Sequence, residues 1–125
     1  LPWSTKLIEL YSDKWSWLNL GENESLPWSE EFIQSHEDKW FWFRLSSNPS
    51  IPWSIKLIEL FEDKWDWEDL SNNEYLPWNE ELVECYAHKW EWESLMDNRG
   101  VIRLFQKWTK QEVALAFDAI ISSKN

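Results

Sequence analysis

The chain has 125 residues, a formal net charge of −11, thirteen tryptophans, two glycines and one cysteine. That length is one domain's worth and is enough to close a core, while the acidic balance repels phosphate and lacks the basic footprint that nucleic-acid binding needs. Scarce glycine argues against an all-β protein built on tight turns, and a lone cysteine allows neither an internal disulfide nor a cysteine-based zinc cluster.

Residues 1–100 are four copies of one 25-residue unit, at 1–25, 26–50, 51–75 and 76–100, with no insertion between them. The first reads LPWSTKLIELYSDKWSWLNLGENES and the third IPWSIKLIELFEDKWDWEDLSNNEY. Pro2, Trp3, Lys14, Trp15, Trp17, Leu20 and Asn23 recur identically in all four. Self-similarity at a fixed period of this size marks stacked repeats in which neighbours share one core. The chain opens at Leu1 on a repeat boundary, as a stretch of a longer array would.

Each unit predicts two short helices. Ser4, Ser29, Ser54 and Asn79 are N-caps, because their side-chain oxygens can accept a free amide hydrogen of the first turn. Pro2 keeps the chain extended up to that point, and Trp3 can fold back as a hydrophobic staple. Leu7, Ile8, Leu10 and Tyr11 then form an apolar stripe over two to three turns, closed by Lys14 at the negative end of the helix dipole. On the second, shorter helix Trp17 and Leu20 share a face, and Asp66 suits the cap ahead of Trp67. Asn23, Asn48, Asn73 and Asn98 are expected to end it, since asparagine tolerates the left-handed conformation and bonds its own backbone in a turn. Short helices do not stand alone, so the tryptophan sets are expected to be core before anything else.

Residues 101–125 abandon the pattern, and the charge changes with it. The four units carry −2, −2, −5 and −4, and the last segment +2. Helical spacing of Val101, Leu104, Phe105 and Trp108, then a capping box from Thr109 to Glu112, predicts two helices near 101–108 and 110–122. A terminal element of a stack has to close its core, so 101–125 reads as a C-terminal cap. The predicted fold is an all-α solenoid, right- or left-handed, of helix-turn-helix repeats with a capping helix pair.

Catalytic chemistry is hard to place. His36 and His88 occupy nonequivalent repeat positions, with no pairing of the HExxH kind near Glu37, Asp38 or Glu84. Glu62-Asp63 and Glu80-Glu81 read as solvated faces and first turns rather than an acid–base pair in a cleft. Cys85 and His88 share a helix face, but Cys85 takes the place of Leu10, Ser35 and Leu60 and is expected to be a small, semi-buried core residue. No glycine-rich phosphate loop and no GxSxG elbow occur. The reading is a non-enzyme with no cofactor and no metal site. No apolar run approaches a membrane span, no signal-peptide pattern is present, and the single cysteine fits a reducing, cytoplasmic setting.

The string LPWS…LIELFEDKWDWEDLSNN resembles tandem tryptophan-rich repeats of uncharacterised bacterial proteins, with looser relatives in giant viruses. The resemblance covers residues 1–100 and implies a repeat protein, with no activity or binding residue to carry over.

The functional expectation is a repeat scaffold that binds a protein or peptide partner through variable exposed positions such as Ser16, Phe41, Asp66 and Glu91, or positions 18–19 of each unit. Phe41, Trp42 and Phe43 make the second unit unusually aromatic and form the candidate contact patch. Packing of these rings against the neighbouring unit is the competing explanation. Two other expectations stand beside the scaffold: a carbohydrate-binding array of exposed indoles, and an acidic neutraliser of a basic partner, of the immunity-protein kind. Ligand identity and oligomeric state stay open.

Overall fold

The computed structural model describes residues 3–106 and, beyond them, residues 111, 112, 114, 115, 118, 119 and 122. Among the described residues helix is the only regular secondary structure. The four units give α1 (Thr5–Leu10) and α2 (Trp17–Leu20), α3 (Glu30–Ser35) and α4 (Trp42–Ser46), α5 (Ile55–Leu60) and α6 (Trp67–Asn72), and α7 (Glu80–Cys85) and α8 (Trp92–Met96). After them comes α9 (Arg99–Leu104). The fold class is all-α. The chain divides into two compact units, Leu1–Trp65 and Asp66–Asn125, and the boundary lies between the two helices of the third repeat.

Local chemistry explains where the helices start. Ser4, Ser29, Ser54 and Asn79 are extended at φ −139, −154, −148 and −153, and each accepts from the amide three residues on. Those bonds run 2.7–3.1 Å, at Leu7, Phe32, Leu57 and Leu82. Ahead of three of these caps, the amides of Trp28, Trp53 and Trp78 each bond the carbonyl two residues back at 2.8 Å. Such three-residue turns suit a central proline, whose φ is already fixed. Trp28 packs back on α3 as expected, with its ring 5.6 Å from Phe32.

The first helix of each unit is only six residues long. Its buried face is therefore positions 7, 8 and 11, seen in Phe32, Ile33 and His36, in Leu57, Ile58 and Phe61, and in Leu82, Val83 and Tyr86. Position 10 turns outward instead. Leu10 and Leu60 are 66% and 43% exposed, and Cys85 is exposed rather than semi-buried. At about 100° per residue, position 10 lies nearly opposite position 8 on the helix. Chain reversal at position 11 then leaves no further turn to cover it.

Lys14 and its equivalents do not close that helix, since α1, α3, α5 and α7 hold no basic residue in their last turns. In repeats two, three and four the lysine reaches a ring of the preceding repeat instead. Lys39 lies 6.0 Å from the Trp17 ring centre, Lys64 6.0 Å from Trp42, and Lys89 5.6 Å from Trp67.

The asparagines bond their own backbone in the turn as expected, but without the left-handed conformation. No residue among those described has positive φ, and Asn73 and Asn98 sit at φ −83 and −75. Each asparagine makes a local turn, its Oδ1 accepting from the amide two residues on at 2.8–2.9 Å. Asn48 and Asn98 also donate from Nδ2 to the residue-21 carbonyl of the preceding repeat, at Gly21 (2.9 Å) and Ser71 (2.8 Å). Both are buried.

Tryptophan burial follows a regular scheme. Trp40, Trp65 and Trp90 are 4–5% exposed. Each lies between the position-3 ring of its own repeat and the position-17 ring of the one before. Trp40 meets Trp28 at 5.1 Å and Trp17 at 4.8 Å, and Trp65 meets Trp53 at 4.9 Å and Trp42 at 5.0 Å. In the second unit Trp90 meets Trp78 and Trp67, both at 4.9 Å. Edge-to-face and tilted pairs at these separations add to the gain from burial.

The final segment starts earlier than its spacing predicts. Asn98 caps α9 at Arg99, so the helix begins two residues ahead of Val101 and ends at Leu104. Helix α8 packs against both α6 and α9. A Cβ on Gly100 would come within 2.3 Å of the Trp78 ring and 2.8 Å of the Glu74 carbonyl, so glycine lets α9 approach this closely. Described residues between 111 and 122 are helical. The apolar face expected of that second helix (Val113, Ala116, Phe117, Ile120, Ile121) lies outside the described residues, as does Trp108.

Candidate binding surface

Whether an indole is available to a ligand depends first on its N–H. Trp15, Trp40, Trp65 and Trp90 donate to the position-8 carbonyl of their own repeat at 3.0–3.1 Å. Trp28, Trp53 and Trp78 donate to Asn23, Asn48 and Asn73 at 2.8–2.9 Å. Trp17 and Trp42 donate to Ser12 and Glu37 at 2.8 and 3.3 Å. No tryptophan among the described residues is among the exposed large apolar side chains. These rings hold the chain together, and the nine indole N–H groups just named are already engaged.

Outward positions are set by the second helix of each repeat. With 17 and 20 turned inward, 16 and 18 point away. Trp17 and Leu20, Leu45, Leu70 and Leu95 are buried. Position 16 is also the N-cap: Ser16 accepts from Asn19 at 3.4 Å and Asp66 from Asp69 at 3.1 Å. Phe41 occupies this position in repeat two with no side-chain cap bond, and its ring is 48% exposed. Substituting an apolar residue for a good cap costs about 1 kcal/mol. Phe43, two residues on, is 43% exposed and meets Phe41 edge-to-face at 6.3 Å.

The three-residue candidate patch thus splits. Phe41 and Phe43 form an outward aromatic pair, while Trp42 between them packs on Phe61 and Trp65 at 5.0 Å each. Arg44 lies beside the pair, its guanidinium carbon 5.3 Å from the Phe43 ring centre, and makes an ion pair with Glu22. The equivalent outward positions of repeats three and four are carboxylates: Asp66 and Glu68, Glu91 and Glu93. Burial first, then Asp66 and Glu68, push the Asp69 carboxyl above its ordinary range.

The two histidines stay apart in kind. His36 is buried against Trp17 (5.1 Å), Phe32 (5.4 Å) and Trp40 (6.3 Å), while His88 is exposed. Desolvation lowers the His36 pKa, with Glu9 pulling it up and Lys39 down. No group of three or more His, Cys, Asp or Glu side chains among the described residues is arranged to hold a metal ion. No helix among them is long and apolar enough to cross a membrane.

Sequence reasoning missed the lysine–indole contacts and the donor half of the asparagine bonds. Identity of Lys14 and Asn23 in all four units was the only available signal, and it does not say which neighbour is touched. Comparison with protein-family models, with curated proteins and with solved structures gives no significant match.

Proposed function

We propose that the chain is a non-catalytic tandem-repeat scaffold that engages a protein or peptide partner through Phe41 and Phe43. One observation carries this reading: an exposed aromatic pair stands where repeat one places Ser16 and Leu18 and repeats three and four place carboxylates. Two rings on a six-residue stretch offer apolar contact at little entropic cost, and aromatic anchors flanked by arginine are enriched where proteins meet. Kinship with the tandem tryptophan-rich repeats named above belongs to the same proposal. The carbohydrate-array reading finds less support, because stacking on sugar needs an open indole face and the described indoles are packed. Grouped carboxylates around Asp69 favour, as a second reading, a cationic partner captured through the later repeats.

A photo-crosslinking residue placed at position 41 in the producing cells tests the main reading. The expected outcome is one discrete covalent adduct, absent when the probe sits at Lys56 and lost with Phe43→Ser. Adducts of equal yield at both probe positions would sink it. Capture abolished by raised salt and insensitive to Phe43→Ser would favour the cationic partner instead.

A further inference from the structure

Repeats two, three and four each present the same face to the repeat before them, in three parts, and repeats two and four add a fourth. The position-11 ring packs on the preceding position-17 indole, as His36 does on Trp17 at 5.1 Å, Phe61 on Trp42 at 5.0 Å and Tyr86 on Trp67 at 4.9 Å. The position-15 indole meets that same ring. The position-14 lysine reaches it with its cation. The position-23 amide donates to the preceding residue-21 carbonyl, as Asn48 and Asn98 show.

Repeat one carries all four groups, and among the described residues none has its counterpart. Tyr11 is 47% exposed, against 4–9% for His36, Phe61 and Tyr86, and its ring meets Trp15 alone. Trp15 is only half-buried and keeps its contact with Trp3 but has no position-17 ring across from it. Lys14 lies over no aromatic ring, and the Asn23 Nδ2 has no acceptor, although its Oδ1 still accepts from Ser25.

We infer that this face of repeat one is a docking surface for the second helix of a further tryptophan repeat. The occupant presents an indole at its position 17 and a free carbonyl at its position 21. Continuity supports this: the groups at positions 11, 14 and 15 are covered in this way at each of the following repeats, and the position-23 amide at repeats two and four. A second copy of the chain is a poor fit, since its Trp17, Trp42 and Trp67 are already covered by His36, Phe61 and Tyr86 and its Trp92 is not without a partner either. The inference is independent of Phe41 and Phe43.

The test appends one extra unit, with the sequence of residues 51–75, directly ahead of Leu1 of the full chain. Tyrosine nitration reads Tyr11 against two internal references, exposed Tyr75 and buried Tyr86. Docking predicts loss of Tyr11 nitration to the level of Tyr86 and a raised urea midpoint. It also predicts that an added unit with alanine in place of its position-17 tryptophan gives neither effect. Unchanged Tyr11 nitration with the added unit open to protease would overturn the inference. Equal protection by the alanine unit would overturn it too, as would dimerisation of the unmodified chain with Tyr11 protected.

Discussion

At the scale of single residues, the buried polar groups are the informative ones. Asn48 and Asn98 use both ends of the amide, one to fold their own turn and one to hold the repeat before, so a buried group is satisfied twice. His36 is the odd member of its set, since Phe61 and Tyr86 fill the same position with rings that carry no titrating charge near neutrality. Its folded pKa is lowered, chiefly by desolvation. An unfolded chain takes up the proton near pH 6.5 while the folded chain does not. Stability from neutral His36 is therefore intact above that pH and falls as the pH drops below it. His36→Phe should raise the urea midpoint more at pH 5.5 than at pH 7.5. An equal gain at both values would show that the imidazole does not titrate differently in the folded state.

At the scale of elements, the sequence was legible wherever the deciding contact is local. Four first-helix caps and the Asp66 cap follow from side chains that reach amides three residues away. The exposure of position 10 was not legible, because spacing alone continues the apolar stripe through Leu10 and Leu60. What cuts it is the length of the helix, six residues with a reversal at position 11, and that is fixed by indole bonds such as Trp65 to Ile58 rather than by the stripe. The aromatic patch was half legible for a related reason. Composition marks Phe41, Trp42 and Phe43 together, but only the facing of α4 separates the outer pair from the inner ring. Two substitutions on α5 test this account. Leu60→Glu should leave stability within about 0.5 kcal/mol, as exposed sites do, while Leu57→Ala should cost about 2–5 kcal/mol as a core truncation. Equal losses in urea melts would put position 10 back in the core.

At the scale of the whole molecule, helices of four to six residues have no stability of their own, so each repeat is ordered by its neighbour. In such a stack the value of a residue depends on how many neighbours its repeat has, not only on its type. The tryptophans at position 15 allow a like-for-like comparison inside one unit. Trp65 is 5% exposed and sandwiched between Trp53 and Trp42, with Phe61 at 6.1 Å and its N–H bonded to Ile58. Trp15 has the equivalent N–H bond to Ile8 and the equivalent contact with Trp3, but no ring from another repeat. The two sites thus differ by one inter-repeat aromatic contact and the burial that comes with it. Trp65→Ala should cost about 3–5 kcal/mol, as large aromatic truncations in cores do. Trp15→Ala should cost clearly less, roughly by the 0.5–1.5 kcal/mol of an aromatic pair plus its share of buried area. Urea melts of both variants read the difference directly. Equal costs would mean that rings are held within each repeat and that stacking adds nothing, and a Trp65→Ala loss below about 1 kcal/mol would remove the indole ladder as the source of the fold.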